Sequence, residues 1–440
     1  MSAKRLLFLS RIFGFIFLSL AFADSFAQNA SVSPYSRYGI GDIPFGAVAK
    51  NNGFGGIGIA YRNPLTINII NPASYSSISL TTFDMGASAS FTKFSTAELE
   101  QNKSDATFSY FALGFPVIKN KWGAALGLVP FSNVGYKILD DTVTNAGDVL
   151  FNYEGSGGLN RLFIGNSVTL FKNFSTGINT SYLFGSLKRI SRVEFSESNF
   201  LNSRFTESTT IGDFYFNYGL QYVVDSIPEK VKTDSTVTKI KTDRSLTFGF
   251  TFSSPAKLSA ERSFLKERYL SNGILIFVQD TAENIEGEKG TVNLPYGIGF
   301  GVVLRKGSKW MVGADAALQN WEDFSFFGQG DALKNSLRIN AGAQYIPDER
   351  AMKSYWQSVQ YRLGLFYDQT YLQLKSSKLD EFGVTFGLGF PVRKGLSMIQ
   401  VSAQLGRRGT TDNNLVREDF ARFTLGFTFN DRWFIKPKFD

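Results

Sequence analysis

From residue 82 onward the chain repeats one device, a one-for-one alternation of apolar and non-apolar side chains. In the first segment Phe83, Met85, Ala87, Ala89 and Phe91 fall on one side, while Asp84, Gly86, Ser88, Ser90 and Thr92 fall on the other. A period of two belongs to a β-strand with unlike faces. The pattern returns in Leu246, Phe248, Phe250 and Phe252, in Leu294, Tyr296, Ile298, Phe300, Val302 and Leu304, and in Leu337, Ile339, Ala341, Ala343 and Tyr345. It returns again in Ile399, Val401, Ala403 and Leu405 and in Phe423, Leu425, Phe427 and Phe429. One face suits lipid and the other does not. A helical span needs roughly 20 consecutive apolar residues, and no stretch reaches that length. If the chain sits in a membrane, it crosses as strands, and only a closed barrel satisfies their backbone groups there.

The alternation predicts about 14 strands, an even number that leaves both barrel ends on one side. They cover 82–93, 105–116, 121–137, 148–171, 175–195, 204–224, 245–255, 293–304, 309–322, 333–345, 357–370, 382–390, 396–406 and 419–429. Gly273 to Val278 is also apolar, but a further strand would make the number odd, so 256–292 is read as an external excursion. Lys119-Asn120-Lys121, Lys172-Asn173-Phe174, Arg305-Lys306-Gly307 and Val392-Arg393-Lys394 read as tight turns, against longer loops at 94–104, 138–147, 371–381 and 407–418. Outer-membrane barrels have short periplasmic turns and long outer loops, with the polar 226–244 as an exception on the periplasmic side. Trp122, Trp310, Trp356 and Trp433 lie beside the periplasmic turns or terminus, where an indole with one apolar edge anchors at the interface; only Trp321 sits at the outer end of a strand.

Residues 1–27 read as a cleaved export signal. Lys4 and Arg5 precede a short apolar run, Ile12 to Phe22, and Ser25-Phe26-Ala27 offers small residues for cleavage before Gln28. Its removal takes Lys4, Arg5, Arg11 and Asp24 and lowers the net charge from +8 to +6. No dense basic run is present, so the excess reads as solvated loops and no nucleic-acid partner is expected. The chain has no cysteine and no histidine. That excludes a lipidated N-terminal cysteine, disulfides, thiolate metal sites and His-dependent triads, and neither enzyme activity nor a cofactor is expected. The 44 Phe, 18 Tyr and 42 Gly suit a barrel, because aromatics favour strands and glycine fits crowded interiors. A soluble sandwich also alternates, yet it rarely needs so many consecutive strands with one continuous apolar face behind a leader.

Residues 28–81 do not alternate. They run through Ser33-Pro34-Tyr35-Ser36-Arg37-Tyr38-Gly39, Gly53-Phe54-Gly55-Gly56-Ile57-Gly58 and Asn71-Pro72-Ala73-Ser74-Tyr75, a compact irregular segment. The glycine string lacks the strand–helix unit and the spaced acid of a dinucleotide site, so it reads as chain folded tightly within a barrel. In Tyr153 to Asn160, Gly155, Gly157 and Gly158 interrupt a long strand, as at a bulge or bend.

The glycine-rich segment, Asn71-Pro72-Ala73 ahead of the first strand, Val129-Pro130-Phe131, the run Leu246 to Leu258, Leu294-Pro295 and Trp310 to Trp321 together resemble the FadL/OmpP1/TodX family of outer-membrane transporters of hydrophobic compounds. Ser36 to Asp42 and Asn430 to Lys436 look like its Bacteroidetes branch. The resemblance implies a 14-strand antiparallel barrel over 82–440, with 28–81 as a plug, or hatch, in its lumen. It also implies passive uptake of hydrophobic compounds such as long-chain fatty acids, released sideways into the outer membrane through a strand kink. Asn71, Pro72 and Ala73 are then expected in the hatch, and Gly155, Gly157 and Gly158 at the kink. The expected partners are membrane lipid and small hydrophobic molecules. The alternative is a non-transporting barrel subunit of an outer-membrane assembly or secretion complex, bound to other outer-membrane proteins; its mark would be a filled lumen without an apolar pocket. An open porin is a third reading, at odds with so long an N-terminal segment. Two features depart from the family: the charges Glu261, Arg262, Lys266, Glu267 and Arg268 where an apolar entry would lie, and Asp440 after the last aromatic, Phe439.

Overall fold

A strand that alternates this strictly pairs edge to edge until its last member meets its first. The computed structural model describes residues 33–44, 48–144, 147–196, 200–233, 236–271, 276–351, 354–392 and 396–433. The expected leader, the C-terminal Phe439-Asp440 and Arg393-Lys394 of the turn Val392-Arg393-Lys394 lie outside them. The strands are β1 (Thr81–Ser95), β2 (Glu100–Ile118), β3 (Trp122–Thr144), β4 (Gly147–Phe171), β5 (Phe174–Phe195), β6 (Asn202–Val224), β7 (Pro228–Thr233), β8 (Thr236–Lys241), β9 (Arg244–Ser253) and β10 (Ala256–Ser271). They continue with β11 (Ile276–Leu294), β12 (Gly297–Lys306), β13 (Trp310–Gln319), β14 (Ser325–Phe326), β15 (Ser336–Tyr345), β16 (Gln360–Leu374), β17 (Ser377–Pro391), β18 (Met398–Arg408) and β19 (Arg417–Asp431).

Among the described residues 14 of these close a ring: β1 to β6, β9, β12, β13 and β15 to β19, with β19 returning to β1 from Thr81↔Asp431 to Ser95↔Arg417. Every ladder is antiparallel, so the expected fold class and strand number hold. The faces hold as well. Phe248, Phe250, Ile298 and Phe300 are 37–56% exposed on the outside. A side chain at Gly299, on the opposite face, would meet Ile59 of the N-terminal segment. Trp122, Trp310, Trp356 and Trp433 are all exposed, at the barrel end that carries Thr81 and Asp431, whereas Trp321 is buried against Tyr371 with rings 4.6 Å apart.

The outer connections differ from expectation. Instead of long loops over 94–104, 138–147 and 371–381, the strands continue. The β1–β2 ladder runs to Ser95↔Glu100, β3–β4 to Thr144↔Gly147, and β16–β17 to Leu374↔Ser377. Segment 256–292 is also a hairpin, β10–β11, that prolongs β9 and β12 outward and pairs along β6. Beyond the lipid band the faces no longer have to differ, so the alternation fades while the backbone pairing persists. Charges in β10 find cross-strand partners: Arg262 binds Glu288 at 2.8 Å and Glu267 receives Arg204 at 2.6 Å. At the opposite end, 228–241 forms a hairpin, β7–β8, that is a sheet of its own.

Candidate functional site: the lumen, the hatch and a seam between two strands

Residues 33–80, as far as described, lie inside the ring and touch its inner wall on every side. Three apolar clusters pack the segment against the strands. Tyr35 and Ile40 belong to one, Val48, Ile67, Ile69, Tyr75 and Ile78 to a second, and Phe54, Ile57, Ala60 and Tyr61 to a third. The contact is so close that backbone meets backbone. A Cβ on Gly364 of β16 would lie 2.1 Å from the Gly55 nitrogen, and one on Gly123 of β3 would lie 1.9 Å from the Tyr75 carbonyl oxygen. Glycine in these strands is therefore what admits the hatch.

Asn71, Pro72 and Ala73 do come together with the wall. Asn71 is fully buried and caps a short 3-10 helix, Pro72–Ser77, its side-chain oxygen accepting from the Ala73 N–H at 3.0 Å. Pro72 opens that helix, where its missing N–H is no loss. The Asn71 amide donates to Ile59 in the hatch at 2.7 Å and to Leu220 and Phe250, paired on β6 and β9, at 3.2 and 3.3 Å. The Ala73 carbonyl accepts from Ser167 Oγ on β4 at 2.8 Å. This triplet fastens the hatch to the wall. Deeper in, Lys50 lies buried with its ammonium 5.1 Å from the Tyr61 ring; burial pulls its pKa below the ordinary value, the phenol of Tyr61 opposes the shift, and Arg362 adds to it.

Between the hatch and the wall is a cavity of about 240 Å³. Its lining includes Asn52 from the hatch, Asp105 and Thr107 from β2, Arg338 from β15, Glu381 from β17 and Arg422 from β19. The three arginines of the lining are already paired: Arg338 Nε binds Asp368 at 2.9 Å, Arg422 binds Glu381 at 2.9 Å, and Arg408 binds Asp42 at 2.8 Å. An apolar molecule gains roughly 25 cal/mol per Å² only where it leaves water for apolar surroundings. Here it would displace solvent from paired charges and hydroxyls, which costs free energy.

The wall beside this cavity is not continuous. The β2–β3 ladder runs from Ile118↔Trp122 to Phe111↔Leu128 and stops. Beyond that point, among the described strands, β2 pairs with β1 and β3 with β4, and not with each other. Leu128 is six residues above Trp122, about 15 Å along a tilted strand, so the seam begins near the middle of a lipid band about 25 Å tall and opens outward. Just above lies Pro130, which has no N–H for a ladder, followed by a bulge at Phe131 in the β3–β4 register. The exposed edge of β3 does not go unpaired. Ser33 N donates to the Gly135 carbonyl at 3.0 Å, and Asp42 and Asn133 exchange both backbone bonds at 2.8 and 2.9 Å. The hatch thus stands in for β2.

Gly155, Gly157 and Gly158 are found one strand away from the seam. Both ladders of β4 continue through them, to Tyr136, Val134 and Asn133 on one side and to Arg189, Leu187 and Ser186 on the other, so no opening exists at the glycines themselves. Their place against the bulged β3 explains the residue type. Gly157 has φ +114°, and a Cβ on Gly158 would lie 2.3 Å from the Ser132 carbonyl oxygen. The seam was not read from the sequence; Pro130 within a long strand was its only local signal, since proline is confined to edges and bulges. Among the described residues no acidic cluster could hold a metal ion.

The geometry has solved counterparts. The chain superposes on the Pseudomonas putida toluene transporter TodX with a TM-score of 0.59 at 16% identity, covering 89% of this chain and 100% of that one. A Pseudomonas aeruginosa FadL homologue gives 0.56 at 13%, with 88% and 99% covered, and the Ralstonia pickettii toluene transporter TbuX gives 0.55 at 12%, with 88% and 98% covered. At these identities the likeness establishes the fold, that of outer-membrane hydrophobic-compound channels. No curated protein sequence matches the chain. The BamG family model matches residues 9–440, nearly the whole length. The chain therefore belongs to the BamG family, and its β-barrel has the fold of the hydrophobic-compound channels.

Proposed function

We propose that this barrel works as a plugged, non-conducting subunit of an outer-membrane assembly, bound to other outer-membrane proteins. The observation that carries the reading is the filled lumen. The hatch's large apolar side chains are spent on the wall, and the cavity that remains is lined mainly by hydroxyls and charged groups, with Phe108, Trp321 and Tyr371 among them. A conduit for hydrophobic compounds needs a mostly apolar pocket with few polar groups. The tall outer hairpins and the free-standing β7–β8 hairpin at the other end give an assembly surfaces on both sides of the membrane. The test is uptake of an apolar tracer into vesicles carrying the purified barrel. The proposal expects the rate of empty vesicles; a saturable rate well above it would contradict the proposal.

A second reading is favoured by the seam. An opening from a lumen cavity towards the outer half of the bilayer suits sideways release of hydrophobic compounds such as long-chain fatty acids, the kind of cargo expected from the family resemblance. On that reading, locking the seam abolishes saturable uptake.

A further inference from the structure

One backbone edge of β3 has two suitors. Below Leu128 it belongs to β2; above, at Asn133 and Gly135, it belongs to the hatch head, Ser33 to Asp42. Ser36 adds a third link, its Oγ accepting from the Gly135 N–H at 3.1 Å. From Glu100 to Tyr110 the far edge of β2 has no strand beside it among the described residues, since that stretch pairs with β1. Carrying the register of Phe111↔Leu128 onward without a slip sets Ala106 opposite Asn133, the residue now paired with Asp42. The same N–H and C=O of Asn133 can serve Asp42 or Ala106, never both at once.

The head is braced from the opposite wall. Tyr35 Oη donates to Val416 at 2.6 Å, Ser33 Oγ to Glu418 at 2.6 Å, Tyr371 Oη to the Gly41 carbonyl at 2.7 Å, and Arg408 binds Asp42 at 2.8 Å. It spans the lumen from β16, β18 and β19 to β3. Its approach to β3 depends on Gly41, with φ +97° and an imagined Cβ only 2.3 Å from the Asn133 carbonyl oxygen. A strut anchored at one end on paired charges and pressed at the other against a bare strand edge holds two strands apart.

We propose that the hatch head is a removable strut: it keeps the seam open by occupying the β3 edge, and its release lets β2 zip onto β3 and close the wall. The device is independent of what, if anything, crosses the seam, so it stands or falls separately from the proposed role in an assembly. Because the chain has no cysteine, an Ala106→Cys/Asn133→Cys variant introduces a single pair that can form a disulfide only when the strands meet. The full-length protein in outer membranes is treated with a mild oxidant and the cross-linked fraction is followed over time. The pair is compared with the head intact, with Gly41→Val, which drives the head off the edge, and with Arg408→Met, which frees its far end. Heat-modifiable migration on gels confirms a folded barrel in each background, and Arg408→Met serves should Gly41→Val fail to fold. The expected result is slow cross-linking with the head intact and a several-fold faster reaction once it is released. Equal rates in all backgrounds, or no cross-link with a released head, would overturn the proposal.

Discussion

Arg408 on β18 places one guanidinium nitrogen 2.8 Å from Asp42 of the hatch and 3.9 Å from Glu418 of β19. The arginine is 8% exposed and the glutamate 5%, so a single buried cation answers two carboxylates, one of which also receives Ser33 Oγ. Removing one member of a buried ion pair costs about 3–5 kcal/mol because the other is left uncompensated. Arg408→Met should therefore expose the hatch head to limited proteolysis and lower the unfolding temperature. Its neighbour Arg407, 48% exposed and paired with Asp419, should cost under about 1 kcal/mol when changed to Met.

Asn71 links the hatch to itself and to two strands. Asn71→Ala removes the cap of Pro72–Ser77 and leaves the Ile59 carbonyl with one donor fewer in a buried place. A lost cap costs about 1 kcal/mol, and losing a hydrogen bond to a carbonyl that keeps another donor adds about 0.5–1.5 kcal/mol. The expected outcome is a barrel that folds with a loosened hatch, seen as faster amide exchange over 59–75 with exchange in β1 and β19 unchanged.

Lipid decides the outer face. Phe300, 56% exposed near mid-strand, should tolerate Arg poorly, with a loss of about 2–4 kcal/mol in a refolding titration into lipid vesicles. Gly299→Arg should fail for another reason, the clash with Ile59 and Thr251 on the inside. Deleting the hatch separates the two, since it removes the contact with Ile59 at position 299 and leaves the lipid-facing cost at position 300 unchanged.

At the bulge the glycines leave no choice. A Cβ at Gly157 would sit 2.0 Å from the Ser186 carbonyl oxygen, in a backbone conformation that valine avoids. Gly157→Val should lower the yield of folded barrel, measured as the heat-modifiable fraction. A well-folded Gly157→Val barrel would mean that β4 can straighten.

What the sequence disclosed follows from what constrained it. Lipid outside and a packed hatch inside force alternation through residues such as Phe248, Gly249 and Phe250, and there the strands and faces were legible. Asn71-Pro72-Ala73 carries a local signal of its own, a cap, a helix-opening proline and a small residue, and these meet the wall at Ser167. Outside the bilayer the constraint lapses, so the ladders carrying Thr144 and Leu374 read as loops. The seam was hidden because it is a relation between edges far apart in the chain: Asn133 could meet Ala106 or Asp42, and only the folded structure shows that Asp42 holds the place. The glycines at 157 and 158 lie in β4, one strand away from that edge, and pair on both sides.

The most direct test of the account is to extract the protein from native outer membranes in mild detergent and to quantify what travels with it. The account predicts one or more outer-membrane proteins in fixed stoichiometry with the barrel, retained through a second purification step, and no apolar compound in the lumen. Recovery of the barrel alone, carrying a bound hydrophobic molecule in near-equimolar amount, would contradict it.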